Sequence, residues 1–155
     1  MILDIVIDYD IYTFASPSDL FIDTKFYIDY QGKSFPSNQW TDFTNPILNM
    51  WKYNLLEARY SNNVKFSLYF MDGPYRLDVF KDDKMQLTIE AVNSRGSNEV
   101  SEFKVQCSYY DFLKSFYEAI KKFNYMLYSK GMNKGKFEDV YNQNIKTMQE
   151  LKAII

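Results

Sequence analysis

Between Val64 and Cys107 the chain alternates apolar and polar residues in four successive runs, each parted from the next by turn chemistry. Neighbouring side chains on a strand point to opposite faces, so a period of two places each apolar set on one side. The inward sets are Phe66, Leu68 and Phe70; Tyr75, Leu77 and Val79; Met85, Leu87, Ile89 and Ala91; and Phe103, Val105 and Cys107. Their separators are Asp72-Gly73-Pro74, the run Lys81 to Lys84, and the polar loop Asn93 to Asn98. Four such runs in sequence predict an antiparallel meander with one buried face.

The flanking segments add strands before it and helices after it. Leu3, Ile5, Ile7, Tyr9 and Ile11 alternate with Asp4, Val6, Asp8 and Asp10, which predicts a strand over Ile2 to Ile11. After the turn-rich Ala15 to Ser18, a second run places Phe26, Ile28 and Tyr30 inward and Tyr27 and Asp29 outward, ending near Gly32. From Ser37 to Arg59, Trp40, Phe43, Ile47, Trp51, Leu55 and Ala58 recur at helical spacing. Asn45 before Pro46 fits an N-cap and first helical residue, so the expectation is a helical turn at 38–43 and a helix over 46–59, with one kinked helix as the alternative. Ser108 and Asp111 resemble a capping pair for a helix burying Phe112, Leu113, Phe116, Ile120, Phe123 and Leu127, stopped by Gly131. A last helix over 137–152 carries Val140, Tyr141, Ile145, Met148 and Leu151. The order β-β-α-β-β-β-β-α-α predicts a single α+β domain spanning residues 1–155, its mainly antiparallel sheet of about six strands covered by helices on one face.

Composition removes whole classes of chemistry. The chain has no histidine, so catalytic triads and metal sites built on imidazole are excluded. Its one cysteine, Cys107, cannot form an internal disulfide or a cysteine-rich zinc site, and at the end of an apolar strand it reads as a small buried hydrophobe. Asp4 and Asp8 break the apolar N-terminus, which as written carries no secretory leader, and no apolar run approaches membrane-spanning length. A cytoplasmic protein is expected. Net charge is −2 but unevenly spread: residues 1 to 30 carry six Asp against one Lys, and residues 104 to 155 carry nine Lys against five acids.

The segments Phe35-Pro-Ser37, Trp40-Thr-Asp-Phe43, Ile47-Leu48, Trp51, Leu55 and Phe70-Met-Asp-Gly-Pro-Tyr75 together resemble a family of small bacterial proteins similar to the immunity proteins encoded beside polymorphic toxins. The likeness covers roughly the central 45 residues. It implies a non-enzymatic inhibitor that binds one cognate toxin, with no catalytic residue, metal or cofactor to carry over. Pro46 departs from the more continuous apolar helix of that family.

Candidate contact residues follow from exposure and charge. Asp72 and Tyr75 flank a tight reversal whose residue types suit a turn without further purpose, while a functional reading puts them on an exposed rim. Trp40 is either part of the core stripe or an interface anchor at the helix entrance. Asp4, Asp8 and Asp29 share an outward face if the first two strands pair, and like charges opposite one another need something positive nearby. Solvent and the lysine-rich C-terminal helices can supply it; so can a basic partner such as a nuclease-like toxin. A carboxylate metal site lacks a ligand loop of recognised spacing. Lys121, Lys122, Lys130, Lys134 and Lys136 with Phe123, Tyr125 and Tyr128 suggest nucleic acid only weakly, because the sequence pI is about 5.2. The leading expectation is a toxin-neutralising binding protein acting by occlusion. The alternatives are an enzyme using carboxylates in a pocket between sheet and helices, or a structural subunit of a larger assembly.

Overall fold

The computed structural model describes residues 3–15 and 20–155. The alternating runs become β1 (Leu3–Ala15), β2 (Leu20–Tyr30), β5 (Val64–Tyr69), β6 (Tyr75–Lys81), β7 (Gln86–Asn93) and β8 (Val100–Ser108). Two short strands, β3 (Lys33–Phe35) and β4 (Thr41–Phe43), bring the total to eight among the described residues. The helices are α1 (Thr44–Glu57), α2 (Tyr109–Ser129) and α3 (Glu138–Lys152). An α+β fold with antiparallel pairing throughout is what the alternation predicts. The expected turn at Ser16 to Ser18 lies outside the described residues, as does the inward assignment of Tyr9 and Ile11.

The strands form two sheets rather than one. In the first, β1 pairs with β2, and the other edge of β2 is taken by β3 against Ile28 to Tyr30 and by β4 against Asp23 to Lys25. The second is the meander β5-β6-β7-β8. Unpaired strand edges invite further strands, and here helix side chains bond to individual positions on two outer strands. Trp51 Nε1 and Asn54 Nδ2 of α1 donate to the Tyr69 and Ser67 carbonyls of β5, at 2.8 and 3.3 Å. Ser115 Oγ of α2 accepts from the Ile5 N–H of β1 at 2.9 Å.

Buried residues from both sheets and all three helices share one core. Its centre is aromatic: the Trp51 ring meets Phe26 and Phe70 edge-on at 5.1 and 5.6 Å, and Phe35 meets Phe70 at 5.8 Å. Such edge-to-face contacts add to the energy of burial and join α1, β2, β3 and the end of β5.

The helical turn expected at 38–43 is absent. Trp40 lies in a loop, Thr41 to Phe43 is strand, and α1 begins at Thr44, two residues before the expected start. The helical spacing of Trp40 and Phe43 is overridden because β2 has an edge to be paired, and the Trp40 carbonyl accepts from Phe26 N–H at 3.1 Å. Asn45 does not cap α1; its Oδ1 accepts from Ile22 N–H at 2.9 Å. Pro46 falls in the first turn, where a missing N–H costs no helical bond. Ala58–Tyr60 tightens into a single 3-10 turn after the helix.

Helix α2 follows its local signals closely. Ser108 Oγ accepts from the Tyr110 and Asp111 N–H groups at 3.1 and 3.4 Å. At the other end Gly131, at φ +70°, and Met132 donate to the Tyr128 and Leu127 carbonyls, closing a Schellman motif. Helix α3 packs with its apolar stripe only partly buried, Val140, Tyr141 and Met148 lying against the core. Only Leu151 of the five expected residues is fully buried, and the contact centres on Asn144 and Thr147. Asn144 Nδ2 donates to Asn124 Oδ1 at 2.9 Å, and Asn124 Nδ2 donates to the Tyr141 carbonyl at 3.2 Å.

Candidate functional site

Five of the six predicted contact residues fall into two groups toward opposite ends of β2, and Asp8 lies between them, opposite Lys25. Asp29 and Asp23 mark those ends, six residues apart, which is roughly 20 Å along a strand.

At the first end, Asp4 stands directly opposite Asp29 in the β1–β2 register, as the outward alternation predicts. Asp29 is partly occupied by its own turn, its two oxygens accepting from Gly32 N–H at 3.1 Å and Ser34 Oγ at 3.3 Å. Asp8 pairs in register with Lys25 and lies 3.3 Å from Lys122 Nζ of α2. The lysine-rich helix thus offsets part of the acidic front. Lys121, Lys130, Lys134 and Lys136 are exposed, and Phe123 is fully buried in the core, which leaves it no base to stack on.

At the second end, Trp40, Asp72 and Tyr75 come together around a residue that spacing alone did not single out. Asp42 is only 2 % exposed. Its Oδ2 accepts from Trp40 Nε1 and Met71 N–H, both at 3.1 Å, and from Asp72 N–H at 3.4 Å; its Oδ1 accepts from Phe43 N–H at 2.8 Å. One buried carboxylate therefore fastens the β5–β6 hairpin tip to β4, joining the two most distinctive sequence segments. Charged acceptors make the stronger hydrogen bonds, and burial without them would be prohibitive.

The aromatic pair completes the support. Trp40 and Tyr75 meet edge-on at 4.9 Å, both half-buried. Gly73, at φ +70°, lies against them so closely that a Cβ there would sit 2.9 Å from Trp40 Cη2 and 3.0 Å from the Tyr75 ring. Trp40 and Tyr75 are thus props under the turn, and the buried apolar stripe of the helix begins at Ile47, leaving Trp40 outside it. What the tip exposes is Met71 and Asp72.

Three carboxylates crowd this end. Burial pushes the Asp42 carboxyl above the usual range, its hydrogen bonds from Trp40, Phe43 and Asp72 pull it back, and the Asp72 charge pushes it up again. Asp23, on the outward side of β2, is raised first by burial and then by Asp42 and Asp72. Among the described residues no group of three or more acidic, cysteine or histidine side chains is arranged to hold a metal. The oxygens of Asp42 are already committed to N–H donors.

Elsewhere among the described residues, Arg59 Nε is the one buried side-chain nitrogen or oxygen without a hydrogen-bond partner. Lys81, completely buried, donates from Nζ to the Ser61 carbonyl at 2.7 Å just beyond α1, where a cation is favoured by the helix end. Burial, with a smaller push from Asp111, raises the Cys107 thiol to about 11, which keeps it protonated and unreactive near neutrality. No helix among the described residues is long and apolar enough to cross a membrane.

Asp42 and Asp23 were missed because nothing local distinguishes them. The signal available was the pairing of the Trp40-Thr-Asp-Phe43 and Phe70 to Tyr75 segments as one recognisable unit, which only contact explains. Comparison with known protein families, curated proteins and solved structures finds no match to this chain.

Proposed function

We propose that this chain is a non-enzymatic, immunity-type binding protein that neutralises a cognate bacterial toxin in the cytoplasm by covering its working surface. The observation that carries the reading is the over-secured hairpin tip: a buried carboxylate, an edge-on Trp40–Tyr75 pair and Gly73 hold an exposed turn in one shape. A turn that only reverses the chain needs none of these, whereas a recognition element gains affinity by being ordered before it binds. The outward carboxylates Asp4, Asp8, Asp23 and Asp29 add a negative field that suits a basic, nuclease-like toxin and would speed encounter.

The alternative of an enzyme with a site between sheet and helix is favoured by one feature, a trough of about 680 Å³ between β1 and α2 whose lining includes Asp4, Asp111, Lys114, Glu118 and Lys122. Its acids do not converge: Asp111 and Glu118 lie seven residues apart on α2, about 10 Å of helix. Ser115, the hydroxyl between them, is bonded to the β1 backbone. Partner binding remains the better account.

Co-expression with a toxin gene encoded next to it tests the reading. Cells should survive, and the two proteins should purify as a complex. A toxin that kills unabated and stays free of this chain would defeat it.

A further inference from the structure

Helix α2 buries one side in the core and turns the other to solvent along its whole length. On that outer side Tyr110, Lys114, Tyr117, Lys121, Tyr125 and Tyr128 recur at steps of four, three, four, four and three, which at 3.6 residues per turn sets them in one straight row. Tyr110, Tyr125 and Tyr128 are 41 %, 71 % and 61 % exposed, both lysines are exposed, and Tyr117 is half-buried at the border with the core. The helix's neighbours leave the row open. Asn124 turns one side of α2 to α3, Ser115 turns the opposite side to β1, and the row passes between them. Single exposed hydrophobes are ordinary, but four tyrosines along about 27 Å of one helix have the composition of an interface.

The order of the row decides what covers it, because the row matches itself when reversed. With a second α2 laid antiparallel on it and the two-fold axis between Tyr117 and Lys121, Tyr110 stands opposite Tyr128 of the second copy, Lys114 opposite its Tyr125, and Tyr117 opposite its Lys121. Symmetry repeats each pair. Every lysine then directly faces a tyrosine ring, which attracts a cation and is covered by the lysine stem, and none directly faces another lysine. Glu118, on the flank of the row, comes opposite Lys121 of the second copy. Among the described residues neither lysine of the row is held in an ion pair, so both are free to make these contacts. A single-stranded nucleic acid could also use tyrosines and lysines, but Glu118 beside the row and the net charge of −2 oppose its phosphates.

We infer that Tyr110, Lys114, Tyr117, Lys121, Tyr125 and Tyr128 form a self-complementary surface on which a second copy of this chain docks, its α2 antiparallel to the first. Six residues a side place the contact at the small end of specific interfaces, so the dimer is a weak one. The row shares no residue with the hairpin tip, and the inference stands or falls independently of the toxin-binding reading.

Sedimentation equilibrium on the full chain tests it. The average mass should rise from that of one chain, 18.5 kDa, toward twice that value as concentration increases from about 10 μM to about 1 mM. Each substitution in the row acts twice across the two-fold axis, so Lys121→Glu and Tyr125→Lys should each weaken the dimer at least about tenfold. Lys134→Glu, the same charge change at an exposed position outside the row, should leave it unaltered. The register has its own test: adding Lys114→Tyr to Tyr125→Lys restores the tyrosine opposite the lysine and should recover the dimer that Tyr125→Lys alone loses. A chain that stays monomeric to about 1 mM, a dimer indifferent to Lys121→Glu and Tyr125→Lys, or failure of the paired exchange to restore association would overturn the inference. So would a monomer that binds fluorescein-labelled oligothymidylate and loses it on Lys121→Glu, which would give the row to single-stranded nucleic acid instead.

Discussion

Asp42 shows how one side chain can organise a surface it does not belong to. It is buried, and among the described residues four N–H donors rather than an ion pair hold it. Replacing it with alanine strands those donors, so Asp42→Ala should destabilise the protein by about 2–4 kcal/mol in urea denaturation. Asp23 tests the opposite sign. Its carboxyl is raised in the folded state, so ionisation there opposes folding: the penalty is present above the folded pKa and gone below the unfolded value near 3.8. Asp23→Asn should therefore stabilise at pH 7, by only about 0.5 kcal/mol because solvent screens a half-exposed group. That gain should disappear as the pH is lowered to about 3.8. Asp78 runs the other way: burial would raise it, but the hydrogen bonds from Arg76 and Ser67 and the Arg76 charge hold it below the usual range. Its contribution is lost as pH falls through its folded pKa. A stability gain from Asp23→Asn that persists undiminished at pH 3.8 would show that the crowding of carboxylates is not its cause.

At the level of elements, strands and helices differ in how much of their placement is local. Helix α2 is written into its own residues, from the Ser108 cap to Gly131, because each signal acts within a few positions. Helix α3 is not, since its apolar stripe is narrower than its contact and a pair of asparagines fills the gap. A buried polar pair holds helices in one register if both members are satisfied, and leaves an orphan if one is removed. Asn144→Ala should cost about 1–2 kcal/mol, Asn124→Ala a similar amount, and the double variant clearly less than their sum. Strict additivity in a double-mutant cycle would mean that the two side chains do not act as a pair. The short strands β3 and β4 were illegible for a different reason. Three residues are too few to establish a period, and Trp40 with Phe43 happens to fit the helical one. Helical spacing claims the 38–43 segment because the competing pull, the open edge of β2, lies elsewhere in the chain.

Across the whole molecule, charge is segregated along the sequence and only partly reconciled in space. Lys122 meets Asp8, but Asp4 faces Asp29, and Asp23, Asp42 and Asp72 crowd together. If a basic partner uses this field, reversing Asp4, Asp8 and Asp29 to lysine should slow association with the toxin several-fold and flatten its dependence on salt, as stopped-flow mixing would record. Unchanged rates would confine recognition to the hairpin tip. What the letters determined by themselves is what neighbours enforce: a period of two makes strands of 64–107, capping chemistry bounds α2, and the lack of histidine excludes imidazole chemistry. Tertiary structure decided the rest. The strands divide into two sheets instead of one, a partition that no local pattern carries. Asp42 is buried and functional in holding the tip because Met71 and Asp72, some thirty positions away, bring their N–H groups to it. No local pattern carries that information, since a buried charge is tolerable only after its distant donors have arrived.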